Sequence, residues 1–404
     1  MVINGTWEGH PITFSIKSNC LTISLEKPEG AEVFSYDLAG RLWTALSRGV
    51  SYRRGLDGKM VAKWQTGEAS RARRWVLQEE ALEIEALARQ QVAALSAAIR
   101  SQAAWLEAPL PEPAQTGVER ALAFDAIRSK EDAARYFQVY RPVGILPPDQ
   151  YMAVVLQAIE GCAFNTCTFC NFYRDLPFRI KQPDEFLAHA RAVRDFLGDG
   201  LSLRRTVFLG DANALIVPMP KLLPLIDVVH QVYDVERLGG IYAFLDGFSA
   251  SKKSPEDYRV LAERGMQRIY VGMESGNADL LKFLKKPGTP ADAVNAVRSI
   301  KEGGVAVGVI ILLGAGGKVY ENAHIKDTIH AINLMGLDMD DLIYFSELIV
   351  SEEMEYVHAA YQADLDPLSP GEQAAQGEAI ERGLKFSDRG IPHISRYDIR
   401  EFIY

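Results

Sequence analysis

The chain of 404 residues holds only four cysteines and has no apolar run near the roughly 18 residues that cross a bilayer. The first shortage excludes a disulfide-stapled secreted scaffold, and the second excludes a helical membrane protein. The opening residues, MVINGTWEGHPITF, lack a basic stretch followed by an apolar one, so no export signal is expected and the cytoplasm is the expected location. Histidine is scarce too. The seven present, at 10, 189, 230, 324, 330, 358 and 393, show no ligand spacing, and His324 and His330 are expected on a helix as ordinary surface or core residues. With 44 Lys+Arg against 53 Asp+Glu, the net charge of −9 provides no overall basic field, and any nucleic-acid contact would need a local patch. Apolar content of 48% and charged content of 24% are those of a globular protein.

Set against the scarcity of cysteine, three of the four fall within nine residues, in Gly161-Cys162-Ala163-Phe164-Asn165-Thr166-Cys167-Thr168-Phe169-Cys170. A tight, odd-numbered group suits thiolate ligation of zinc or an iron-sulfur cluster. Three thiolates do not close a four-ligand site, so either a distant residue completes it or one metal position stays open for chemistry. Cys167 and Cys170 are three apart and are expected on one helical turn, with Cys162 reaching in from the preceding loop. Cys20 is remote and reads as a small buried residue of a hairpin, with a radical-quenching or methyl-accepting thiol as the minor alternative.

The two halves of the chain differ. Alternating apolar residues from Ile12 to Leu25 predict a hairpin, and Phe34 to Trp64 continue a small β-rich unit. Arg71 to Leu106, free of Gly and Pro with apolar residues three and four apart, predicts one long helix. The prolines of Ala108-Pro-Leu-Pro-Glu-Pro-Ala then break the chain. From Tyr151, short apolar runs alternate with amphipathic segments, the signature of repeated βα units. Strands are predicted at Met152 to Ile159, Thr206 to Leu209, Gly240 to Leu245, Arg268 to Met273, Val305 to Leu313 and Leu342 to Leu348. Helices are predicted near Asp184 to Phe196, Met219 to Tyr233, Ser254 to Arg264, Pro290 to Glu302 and Ala323 to Met335. The expected architecture is α/β, a partial (β/α)6 TIM-like barrel with an N-terminal α+β domain. The expected parts are 1–115, an N-terminal α+β domain; 116–150, a linker; 151–350, the barrel; and 351–404, a helical extension packed on it.

The cysteines follow the first barrel strand at its carboxyl end, where such folds keep catalytic loops. Here the residues resemble the radical S-adenosylmethionine (radical SAM) superfamily, in its elongator and coproporphyrinogen-oxidase-like branch. In that family three cysteines, spaced Cys-x3-Cys-x2-Cys with an aromatic before the last, hold a [4Fe-4S] cluster, and S-adenosylmethionine chelates the fourth iron. Phe169 matches the aromatic, and the first gap here is one residue longer. The resemblance assigns Cys162, Cys167 and Cys170 to the cluster. It assigns Gly210, Asp211, Ala212 and Asn213, after the second strand, to the cofactor's amino group, and Ser249 and Ser251 to its ribose or methionine part. Glu274 is assigned to ribose or amino contacts, Lys286 (with Lys285 as competitor) to the cofactor's carboxylate, and Gly308, Ile310 and Leu313 of the fifth strand to adenine.

Read without the family, these residues have plainer roles. Gly210-Asp211 reads as a turn, Ser249 to Ser251 as a lead into the Ser254 cap, Lys286 as a solvated charge and the fifth strand as core. Tyr344 and Ser346 are expected toward the cavity, Ala315-Gly316-Gly317 as a flexible pocket loop, and Ser395 to Phe402 as a tail packed on the barrel. The resemblance implies a radical SAM enzyme in which cleavage of S-adenosylmethionine yields a 5'-deoxyadenosyl radical that abstracts hydrogen from a substrate. The substrate class stays open among a small molecule, a peptide and an RNA. An electron donor such as flavodoxin or ferredoxin is expected as a partner and a membrane is not. No residue is assigned to substrate chemistry. With one remote cysteine, no auxiliary cluster is expected, and no cobalamin-binding or acetyltransferase region is recognised. Two other classes remain open, an iron-sulfur sensor and a zinc-bound structural module, neither cleaving S-adenosylmethionine.

Overall fold

The computed structural model describes residues 1–67, 71–386 and 388–404, the side chains of Arg71, Ala250, Ser251 and Glu401 excepted. The chain divides into two compact units: 1–142 with 191–205 and 403–404, and 143–190 with 206–402.

The first unit is built on one nine-stranded antiparallel sheet. Its strands are β1 Val2–Trp7, β2 His10–Ile16, β3 Cys20–Leu25, β4 Glu32–Asp37, β5 Leu42–Ser47, β6 Val50–Arg54, β7 Met60–Gln65, β8 Arg71–Trp75 and β9 Ala104–Leu106. Sequence neighbours pair from β1 to β8, and β9 returns to the free side of β1. Ile12 to Leu25 form the expected hairpin, with Ile12 opposite Leu25. One face of the sheet is apolar because inward residues alternate along each strand. Ile3, Phe14, Ile23, Leu25 and Phe34 are buried there with Ala88, Val92 and Leu95 of helix α1, Gln78–Arg100.

The long predicted helix is therefore shorter at both ends. Arg71–Trp75 pair with β7, because ladder hydrogen bonds outweigh the helix propensity of an Ala/Arg segment. Ala104–Leu106 pair with β1, where Gly5 is required: a Cβ would collide with the Trp105 carbonyl. The segment expected as linker also differs, since helices α2, Glu112–Ala123, and α3, Ala126–Val139, occupy most of it. Pro113 lies in the first turn of α2, where it removes no intrahelical hydrogen bond. The Asp125 side chain caps α3 by accepting from the N–H groups of Ile127 and Arg128. Buried Arg41 holds this unit together. Its guanidinium donates to both Asp132 oxygens at 2.8 and 2.7 Å, to Asp37 at 3.4 Å, and to the carbonyls of Phe196 and Leu197 at 2.7 and 3.1 Å.

The second unit carries a seven-stranded sheet in which every pairing is parallel. Its members in spatial order are β10 Ala153–Gln157, β13 Thr206–Gly210, β14 Ile241–Asp246, β15 Met266–Glu274, β16 Ala306–Leu313, β17 Leu342–Glu347 and β18 His393–Tyr397. A separate antiparallel pair, β11 Ile159–Glu160 and β12 Arg179–Ile180, closes the base of the cysteine loop. The helices are α5 Met219–Val232, α6 Pro255–Glu263, α7 Ala278–Phe283, α8 Pro290–Glu302, α9 Gly317–Asn333, α10 Glu355–Gln362 and α11 Pro370–Gly383, with the first half of α4 Pro183–Leu197, whose second half, from Arg191, belongs to the first unit. β10 and β18 do not pair, so the barrel is open and α/β as expected. Capping boxes begin α6 at Ser254 and α8 at Thr289, each followed by proline.

Three features differ from the sequence reading. The basic-aromatic tail contributes a seventh strand, β18, whose residues alternate too little for the apolar pattern to reveal it. Gly316 and Gly317 do not form a loose loop: Gly316, at φ 77°, is the N-cap of α9. α7 is short and was not predicted, and Asn277 caps it by accepting from Leu280 N–H at 2.8 Å. Among the described residues no helix is long and apolar enough to cross a membrane.

Candidate active site

The carboxyl ends of the parallel strands surround a cavity of about 180 Å³ lined by Cys162, Cys167 and Cys170. The cysteine loop leaves β11 through Gly161 at φ 73°, where a Cβ would lie 2.7 Å from the Leu176 carbonyl. Cys167 and Cys170 do not share a helix. They bracket a turn in which Cys170 N–H donates to the Cys167 carbonyl at 3.3 Å, which still keeps both sulfurs on one side. The loop is fastened to the end of α7. Thr168 N–H and Oγ donate to the Leu284 carbonyl at 2.9 and 3.3 Å, and Thr166 Oγ donates to the Lys285 carbonyl at 3.2 Å. Phe169 packs beside Leu280, Leu284 and Leu312, and Phe164 meets Phe248 edge-on at 4.1 Å.

Burial pushes the Cys167 thiol up to about 12 and raises Cys170, with Cys170 adding to Cys167 and Cys162 to Cys170. Such thiols stay protonated until a metal takes the proton's place. Among the described residues, no three His, Cys, Asp or Glu side chains converge on a single-ion site. In an iron-sulfur cluster each thiolate takes its own iron, so three thiols spread along one wall fit that group by donor type and number.

Facing the cysteines is a buried ion cluster. Lys286 Nζ donates to Asp246 at 3.0 Å and to Glu274 at 3.2 Å. Burial opposes the Lys286 charge, yet Asp246 and Glu274 outweigh it and hold its pKa well above the ordinary value. Burial raises Glu274, which shares the one ammonium with Asp246. Two carboxylates against one ammonium leave an excess negative charge in the cavity wall. That charge complements a ligand carrying sulfonium and ammonium groups.

The backbone aims Glu274 deliberately. It ends β15 at φ 62°, in the left-handed region, beside a register shift. Gly272 leaves room for the pair, since a Cβ there would lie 2.7 Å from Glu274 Oε1 and 3.2 Å from Lys286 Nζ. Behind it Ser275 Oγ bonds His324 Nδ1 at 2.7 Å, and Gly276 N–H donates to Thr328 Oγ1 at 2.9 Å. Burial drives the His324 pKa down to about 4, and among the described residues its Nε2 has no hydrogen-bond partner.

The other residues singled out in the sequence divide. Ala212 and Ile310 line the cavity with Phe169, Glu274 and Lys286. Asn213 lies behind the lining and donates to Asp246 at 3.1 Å and to Ser249 at 3.3 Å, orienting the carboxylate. Asp211 sits beside the loop base, accepting from Gln157 at 3.0 Å, and burial pushes it up to about 6. Gly210 ends β13, packed by Val155. Gly308 lies lower in the barrel, where a Cβ would meet the Tyr270 ring at 2.5 Å. Leu313 is turned away from the cavity and its neighbour Leu312 faces in, as strand alternation requires. The side chain of Ser251 lies outside the described residues. Lys285 pairs with Glu355 on the surface and leaves Lys286 as the cavity cation. Ser346 lines the cavity; Tyr344 instead donates to Asp149 at 2.8 Å.

The sequence reading missed Asp246, the second carboxylate. Its signal was present, an acid at the end of the apolar run Ile241–Leu245, and is the same signal that singled out Asp211 and Glu274. Tyr397 and Ile399, expected in a tail packed on the barrel with a substrate role as the minor alternative, line the cavity from the β18 region.

Residues 156–332 match the family model of the radical SAM superfamily. No curated protein matches the sequence. Among solved structures the chain is similar to Escherichia coli coproporphyrinogen III oxidase (12% identity, TM-score 0.43, 56% of this chain and 50% of that one). It is similar to Elp3 of Methanocaldococcus infernus (12%, 0.38, 53% and 54%) and to the cobalamin-dependent radical enzyme OxsB (15%, 0.38, 57% and 31%). The chain thus spans about a third to a half of the length of these proteins. The match falls on the strands and loops that gather the three thiols and the buried ion cluster: over residues 156–332 the barrel matches a radical SAM domain.

Proposed function

We propose that the chain is a radical SAM enzyme of the elongator and coproporphyrinogen-oxidase-like branch, with a [4Fe-4S] cluster on Cys162, Cys167 and Cys170. The observation that carries this reading is one cavity shared by three thiols and a buried, net-negative Asp246–Glu274–Lys286 group. When bound, the cluster and S-adenosylmethionine supply a 5'-deoxyadenosyl radical that takes hydrogen from the substrate. The protein's part is to bind and orient. Lys286 would hold the cofactor's carboxylate, Glu274 and Asp246 its ammonium or ribose hydroxyls, and Ile310 and Ala212 its adenosine. Phe169 and Phe164 shield the loop from water. The remaining wall, with Ile145, Phe172, Leu348, Ile349 and Ile399, is apolar and suits an uncharged part of a substrate. An electron carrier such as a flavodoxin or ferredoxin is the proposed reductant.

The test is anaerobic reconstitution with iron and sulfide, reduction by dithionite, and assay for 5'-deoxyadenosine. Its formation by the wild type and its loss in Cys162→Ala are expected. Cluster and S-adenosylmethionine both bound without any 5'-deoxyadenosine would defeat the proposal.

A further inference from the structure

The cysteine loop has one residue more in its first gap than the spacing it resembles, and within that gap the backbone makes one left-handed step. Asn165 takes φ 48°, a left-handed conformation that asparagine tolerates better than most residues. Its side-chain amide donates forward to the carbonyls of Tyr173 at 2.7 Å and Arg174 at 3.2 Å. Arg174 answers in the opposite direction. Its Nη1 donates to the Asn165 carbonyl at 2.9 Å, Nη2 to the Cys167 carbonyl at 2.6 Å and Nε to the Cys170 carbonyl at 3.1 Å. Asn165 N–H also points at Cys162 Sγ, 3.4 Å away.

We infer that Asn165 and Arg174 are positioning residues, a reciprocal clip that lets a loop with a four-residue first gap present its three thiols to one cluster. The guanidinium suits this role because its rigid planar fork holds donors in fixed directions toward three carbonyls at once, whereas a lysine ammonium is a compact charge on a flexible stem. The pairing of β11 with β12 closes the same loop at its base, so the clip fixes its far end. The inference rests on the cluster reading above.

The test compares wild type, Arg174→Ala, Arg174→Lys, Asn165→Gly and the double variant Arg174→Ala/Asn165→Gly. The readouts are iron and sulfide content, the cluster's EPR spectrum, and cross-linking of the apoprotein thiols by dibromobimane. Loss of a group that orients metal ligands lowers metal affinity by about 10- to 100-fold, the fall expected for Arg174→Ala. Arg174→Lys is expected to restore little of it. Asn165→Gly keeps the left-handed backbone and loses only the amide, so its fall is smaller, and the double variant matches Arg174→Ala because the two act as one unit. Bimane bridging of Cys162 to Cys167 is expected to drop in step. Arg174→Ala with wild-type iron content and EPR spectrum would overturn the clip. Wild type that itself takes up no iron would overturn the cluster reading, and unchanged thiol bridging in that apoprotein would overturn the clip as well. If Arg174→Ala fails to fold, as circular dichroism would show, Asn165→Gly decides between the same outcomes.

Discussion

Both units bury an arrangement of one cation between two carboxylates, and they use it differently. In the antiparallel unit Arg41 bonds Asp37 and Asp132, and two backbone carbonyls take up its remaining donors. In the parallel unit Lys286 bonds Asp246 and Glu274 at a cavity wall that the three thiols also line. The first is a closed network whose work is to hold a fold together. The second lines a cavity wall, and Glu274 stays there in a left-handed backbone conformation that a purely structural pair does not need. Buried charge by itself does not mark a site; buried charge lining a cavity at the carboxyl ends of parallel strands marks a candidate one.

The sharpest way to break this contrast is at the thiols. Cys162→Ala, Cys167→Ala and Cys170→Ala are each expected to abolish the brown colour and the iron content after reconstitution, while Cys20→Ala, which alters a buried residue of β3, leaves both intact. Next come the two cations. Arg41→Met and Lys286→Met each strand buried carboxylates, and each is expected to cost about 3 to 5 kcal/mol in urea unfolding. Only Lys286→Met is expected to weaken S-adenosylmethionine binding by calorimetry. Equal effects of both on binding would erase the distinction between the units.

A third test concerns pH. His324 has a folded pKa of about 4 against an ordinary 6.5, so it is a base held neutral by burial. Its contribution is fully present above pH 6.5 and is lost as pH falls toward 4, because the unfolded chain takes up the proton first. The loss is on the order of 3 kcal/mol. His324→Gln is expected to flatten the fall in denaturation midpoint between pH 6.5 and 4. The smallest effect belongs to Tyr344→Phe, which removes one 2.8 Å hydrogen bond to Asp149 and is expected to cost about 1 kcal/mol without changing iron content.

Much of the barrel was legible because parallel strands buried on both faces read as apolar runs, and proline after a capping residue marks helix starts. β18 was not legible, since His393-Ile394-Ser395-Arg396-Tyr397 is an edge strand with a polar face, nor was the split of Arg71 to Leu106 into β8, α1 and β9. Within the site, Glu274 and Lys286 were readable from the segment that carries them. Asp246 carried the same strand-end signal and was passed over, whereas Asn165 and Arg174 were not readable, because their hydrogen bonds follow from a backbone angle and a loop path that no local pattern shows.

The sequence by itself determined the donor groups: three clustered thiols, acids at strand ends, and an alternation of βα units that places both at one end of a sheet. Those follow from residue type and local period. Only the tertiary structure decided which acids share Lys286, that Asn165 takes a left-handed backbone conformation in the first cysteine gap, and that Leu312 rather than Leu313 faces the cavity. Each depends on where strands stop and how their registers align, and these are set by packing between segments that no local pattern connects.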